Sequence, residues 1–193
     1  MTTPQGSLSY PRLDKPDTKF KELGEYKADL IVPLKEAKPL IDKLAPIYEQ
    51  HVGKKLPKKP YKGNKESFYF LEQDKKTEEE TGNVVFKLRV ANRLNKQDEL
   101  WDRKPKVFNA FGQPLDTRVG GGSTAKVAFD TYLWKTPAGA PGMSLQPVAV
   151  LVSNLVEGSG GDADSFFDAD DLESPIEALG GGEQEPDEAD FDL

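Results

Sequence analysis

Apolar and polar positions alternate most cleanly in two stretches of the chain. In residues 84–91, Val84, Phe86, Leu88 and Val90 fall on one side, and Val85, Lys87, Arg89 and Ala91 on the other. That is the two-residue period of a half-buried strand. Residues 124–134 repeat it, with Val127, Phe129, Thr131 and Leu133 opposite Lys126, Ala128, Asp130, Tyr132 and Trp134. Further strands are predicted at 26–32, at 67–71, at 106–110 before the turn Phe111-Gly112-Gln113-Pro114, and at 144–156. One segment has a different period. Leu40, Ile41, Leu44, Ile47 and Tyr48 recur at helical spacing within 35–52 and give it one apolar face. Pro39 and Pro46 fall inside it. Interior proline kinks or ends a helix, so one helix or two shorter pieces fit. The proline-punctuated residues 1–20 read as an arm leading into the first strand, 72–83 as a charged loop, and Gly120-Gly121-Gly122-Ser123 as a turn. Many strands and little helix suggest a mostly β fold, a closed or partly open barrel.

The pattern stops after Glu157, and charge shows why. The net charge is −7, but 13 of the 33 acidic residues lie in 158–193, which has no Lys or Arg. The 26 basic residues therefore face only 20 acidic ones in 1–157, which carries +6. Gly158-Ser159-Gly160-Gly161 reads as a joint between two regions. Beyond it, like charge and scarce apolar residues predict a disordered acidic tail over 158–193. A coil of that length spans about 30–36 Å, enough to fold back over the basic body. Its last residues, Asp190, Phe191, Asp192 and Leu193, suit a basic-rimmed apolar pocket on a partner protein.

Composition narrows the chemistry. With no cysteine and His51 as the one histidine, neither a thiol nucleophile nor a histidine/cysteine zinc site can be assembled, and the usual catalytic triads are nearly excluded. No Gly-Lys-Ser/Thr follows the glycine run, so it is no P-loop. The chain reads as a non-enzyme needing no cofactor or metal. It has no signal-like start and no apolar stretch of membrane-spanning length, so it reads as soluble and intracellular. Aromatic and basic side chains remain. Lys126, Tyr132 and Trp134 share a strand face, and Lys87 and Arg89 would extend it if the two alternating strands were neighbours. Such a surface suits single-stranded nucleic acid, with aromatic rings under bases and cations on phosphates. The same pattern also fits Tyr132 and Trp134 capping the core above solvated lysines. The lysine run at 54–62, and Arg12 and Lys15 near the start, fit either solvated surface or electrostatic steering. An adaptor or nucleic-acid mimic acting through the tail is the rival class. It would need neither the +6 body nor the aromatic stripe.

An ordered set of segments resembles the single-stranded DNA-binding proteins of podovirus-type, T-seven-like phages. The set is Tyr10 with Lys15-Pro16-Asp17, then Gly24-Glu25-Tyr26-Lys27-Ala28-Asp29-Leu30, Lys59-Pro60-Tyr61-Lys62-Gly63 and Val85-Phe86-Lys87-Leu88. After these come Gly120-Gly121-Gly122-Ser123 with Lys126-Val127, then Tyr132, Trp134 and Lys135, Leu151-Val152, and the acidic tail. The resemblance implies an OB-fold five-stranded barrel with one helix at 1–157. It implies single-stranded DNA binding with little sequence preference, and a homodimer. It also implies a tail that screens the groove and docks on the phage DNA polymerase and helicase–primase in replication and recombination. With the strand pattern, the residues offered to the DNA are a sheet face of Lys87, Arg89, Lys126, Tyr132, Trp134 and Lys135, with Tyr10 and Lys15 as additions from the arm. The chain departs from the family in ending on Leu193 rather than an aromatic residue, and in Leu23, where a basic residue is expected.

Overall fold

The alternating strands close on one another. A computed structural model describes residues 1–158. Its elements are β1 (Gly6–Asp17), β2 (Glu25–Pro33), α1 (Leu34–Val52), β3 (Tyr69–Gln73), β4 (Glu80–Ala91), β5 (Arg93–Leu94), β6 (Leu100–Trp101), β7 (Lys106–Phe108), β8 (Thr124–Lys135) and β9 (Pro141–Asn154). Antiparallel pairs join β4 to β2, β2 to β1, β1 to β8 and β8 to β9. One parallel pair, Leu88 with Leu145, links β4 back to β9 and completes a five-stranded ring. This is the OB-type barrel. Its interior holds Leu8, Leu30, Val84, Phe86, Leu88, Val127, Phe129 and Leu145, all essentially inaccessible to water. β3 extends the sheet beyond β4, and β7 extends it beyond β9.

α1 is one helix with both prolines inside it. Ala37, Leu40, Ile41, Leu44 and Tyr48 bury its apolar face against β9, β2 and β4. Pro39 and Pro46 are exposed and seven residues apart, so both lie on the solvent side. There, water can satisfy the carbonyls their missing N–H groups leave unpaired. The helix ends at Gly53, whose φ of 73° is the left-handed conformation that suits glycine.

Three expectations need correction, and one element was not foreseen. The predicted arm is a full barrel strand. Leu8 and Leu13 are both buried although five residues apart, which strict alternation forbids. A bulge between Ser9 and Arg12, with Tyr10 at φ 46°, inserts the residue that resets the parity. Residues 72–83 are not all loop, because β3 and β4 reach into them as a hairpin. Asp74 Oδ1 shapes its turn by accepting from the backbone N–H groups of Lys76 and Thr77. Thr81 and Asn83 donate to Glu72 on the outer side. Residues 93–101, where no strand was predicted, form the β5–β6 hairpin, with Arg93 opposite Trp101. Finally, β8 keeps Val127 and Phe129 in the core but overhangs the barrel beyond the bulge at Val148 of β9, leaving Leu133 exposed.

The glycine turn is structural. Ser123 is buried, and its hydroxyl donates to Gly120 and Val156 carbonyls. A Cβ on Gly120 would lie 2.9 Å from the Gly158 nitrogen, which itself donates to Arg118 O at 3.0 Å. Apart from Gly158, the predicted acidic tail and its Asp190, Phe191, Asp192 and Leu193 lie outside the described residues.

Candidate nucleic-acid interface

OB barrels take oligonucleotides on the face of their second and third strands, flanked by the loops after strands one and four. Here those strands are β2 and β4, and the loops are 18–24 and 136–140. The register lays out this face. Tyr26, Ala28, Leu30 and Val32 of β2 point inward, so Lys27 and Asp29 point out. Arg12 of β1 stands opposite Lys27, and Lys27 opposite Arg89. Three cations thus form one row across three strands. Beside it runs the row Ser9, Asp29, Lys87. Like charges directly opposite one another destabilise a sheet, so this row works against the fold unless anions offset it. Two carboxylates offset part of it. Lys27 pairs with Asp17, and Arg89 Nη2 donates to Asp29 Oδ1 at 2.5 Å. Burial pushes the Asp17 carboxyl up, but the hydrogen bond from Lys27, the Lys19 N–H and the nearby Arg12 charge outweigh it and hold it below its ordinary range.

Tyr10, on the bulge, is 43% exposed. It lines a cleft of about 530 Å³ with Asp29, Ile31, Lys62, Lys75 and Glu72. Its left-handed backbone is strained for a residue with a Cβ, and the bulge aims the ring out beside the cation rows. Lys87 is different. Its Nζ donates to Asn64 O at 2.6 Å. Burial, and then the like charge of Arg89, lower its pKa to about 8. It therefore tethers the lysine-rich segment that follows α1 to the barrel, and that segment puts Lys62 into the cleft.

The residues predicted from sequence fall into separate groups. Tyr10, Lys87 and Arg89 share the β1–β2–β4 face, and Lys15 is exposed further along β1. β4 and β8 are not neighbours: β9 separates them on one side, β2 and β1 on the other. Lys126 sits opposite Leu151, six residues from Tyr132 and so about 20 Å along the strand. Trp134 is half-buried and braces the β8–β9 hairpin. Its indole lies across Gly142, its Nε1 donates to Ser144 at 2.8 Å, and its carbonyl accepts from His51 at 3.0 Å. Lys135 is exposed at the end of β8.

Tyr132 belongs to a cluster that sequence reading missed. The Arg93 guanidinium lies 4.9 Å from its ring centre, and that of Arg103 lies 5.3 Å from Trp101. Arg103 is fixed by Gln146 Oε1 at 2.7 Å, and its backbone N–H donates to Asn92 Oδ1. The buried Asn92 also donates to Leu23 O, tying the 18–24 loop to the same place. Tyr26 and Asp102 bond beneath it, and burial with that carboxylate pushes the phenol up to about 12. The available signal was Arg93 and Arg103 bracketing Trp101 in a polar stretch. For Lys27, it was its place on the outward parity of β2.

Comparison with known proteins places this geometry among others. A family model described as the single-stranded DNA-binding protein of bacteriophage T7 matches residues 5–155. The crystal structure of gp2.5, a single-stranded DNA-binding protein encoded by bacteriophage T7, superposes with a TM-score of 0.62 at 22% identity, covering 93% of this chain and 97% of that one. The single-stranded DNA-binding protein of bacteriophage Enc34, truncated at its C-terminus, gives 0.57 at 18% identity over 81% and 86% of the two chains. The same Enc34 protein in complex with single-stranded DNA gives 0.55 at 18% identity, over 82% and 88%. No curated protein sequence matches the chain.

Proposed function

The chain belongs to the family of bacteriophage T7 single-stranded DNA-binding proteins, and from that premise we propose that the strand runs across the β1–β2–β4 face. The cation row Arg12, Lys27 and Arg89 carries this reading. Phosphates settle along the row, and a base stacks on Tyr10. Neither contact reads a base edge, so sequence preference is low. The protein works by holding the strand, with no chemical step. It does so in phage replication and recombination, in the cytoplasm of an infected host. Among the described residues no helix is long and apolar enough to cross a membrane. The acidic segment 158–193, carrying −13, competes with the strand for the basic face. It also docks on replication proteins such as the polymerase and helicase–primase, and the chain works as a homodimer.

Three neutralised phosphates give a slope of about −2 for log affinity against log salt, at the single-strand value of about 0.7 per contact. Lys27→Met should flatten that slope by about 0.7 and weaken binding most at low salt, measured by anisotropy of a labelled oligo(dT). Wild-type binding by Lys27→Met at every salt concentration would remove the strand from this face.

A further inference from the structure

We propose that the β5–β6 hairpin carries a second contact for the same single strand, in which a base stacks on Trp101 and the adjoining phosphate sits between Arg93 and Arg103. This rests on the reading that the body holds single-stranded DNA.

The hairpin is short, yet Leu94, Leu100 and Trp101 all face solvent, with Trp101 56% exposed. They add nothing to the barrel core. The hairpin is also well set: Asn95 Oδ1 accepts the N–H groups of Gln97 and Glu99 across its turn. Its base is held through Asn92 and the Arg103–Gln146 bond. The hairpin presents the Trp101 ring with the Arg103 guanidinium beside it, and its Arg93 lies over the Tyr132 ring of β8. Cation and ring together match a nucleotide's phosphate and base.

The two arginines also repel one another. Burial and the like charge of Arg93 lower the Arg103 pKa, while Tyr132 and Asp130 act the other way. A phosphate between the guanidiniums would relieve that repulsion. The patch is continuous with the proposed path. Arg93 follows Arg89 by four residues, so it lies within about 14 Å of the cation row. A strand leaving Arg89 reaches it within a few nucleotides.

The test uses the full chain. Trp134→Phe leaves Trp101 as the sole tryptophan, and its emission is followed during titration with oligo(dT). Saturating quenching should track binding measured by anisotropy of a labelled oligonucleotide. Trp101→Ala should weaken binding about tenfold or more. Arg93→Ala with Arg103→Ala should reduce the salt slope by about 0.7, the value for the one phosphate they share. Since Trp101 is exposed, its alanine variant should melt like the wild type, and the anisotropy arm does not depend on Trp134→Phe folding. Binding that saturates with Trp101 emission unmoved and Trp101→Ala at wild-type affinity overturns the proposal. So does quenching by polyglutamate but not by oligo(dT), which would make the hairpin a docking surface for acidic peptide. Loss in Lys27→Met alone leaves the barrel face standing and removes the hairpin, whereas loss in Trp101→Ala alone does the reverse.

Discussion

Tyr10 holds a left-handed backbone that costs a residue with a Cβ about 1–2 kcal/mol. At 43% exposed, the side chain returns through packing only part of what full burial would. Strain kept at a bulge beside a row of cations supports the proposed role of this ring in binding. Tyr10→Gly should therefore leave stability equal or higher by up to about 1 kcal/mol in urea unfolding, while ssDNA affinity falls about tenfold. A parallel loss of both would mean that the ring supports the fold. Lys87 carries the opposite sign of argument. Its pKa is about 8 in the fold against 10.5 when unperturbed. Below pH 8 it is charged in both folded and unfolded chains, and burying that charge works against folding. Between pH 8 and 10.5 the folded chain releases the proton first, so the contribution of Lys87 to stability rises with pH. The urea midpoint of the wild type should rise relative to that of Lys87→Met across that window. A constant difference would show that Lys87 is not held in a desolvated place.

At the scale of elements, the β8–β9 hairpin depends on one close approach. A Cβ on Gly142 would stand 2.1 Å from the Trp134 ring. Gly142→Ala should cost about 1–3 kcal/mol by overpacking and shift Trp134 emission, seen in denaturant unfolding followed by fluorescence. An unchanged midpoint would mean that the indole can move aside. What the sequence disclosed here follows from period. β2, β4 and the core half of β8 were readable because their alternation is unbroken. β1 was not, because its bulge places Leu8 and Leu13 on one face at an odd spacing. α1 was ambiguous because proline propensity speaks of the backbone and not of which side faces water. The β5–β6 hairpin was invisible, since two-residue strands leave no period to detect.

For the molecule as a whole, the division of charge was legible, because it needs only counting. Which strands are neighbours was not, since ring closure is set by packing across the chain. That is why Lys87 and Arg89 do not share a face with Lys126, although both strands were recognised. The split also yields a test of the acidic segment. A chain ending at Ser159, which keeps the Gly158 contact with Arg118, should bind oligo(dT) more tightly than the full chain at low salt, and the gap should close as salt rises. Equal affinities would show that 160–193 does not compete for the basic face. The barrel closes through β9, its last strand to leave a ribosome, at the Leu88–Leu145 seam. Until residues 141–154 emerge, β8 and the end of β4 beyond its pairing with β3 are bare edges. Crowded, fast synthesis thus offers neighbouring nascent chains a chance to pair edge to edge. Yield of soluble protein should depend on how soon β9 arrives.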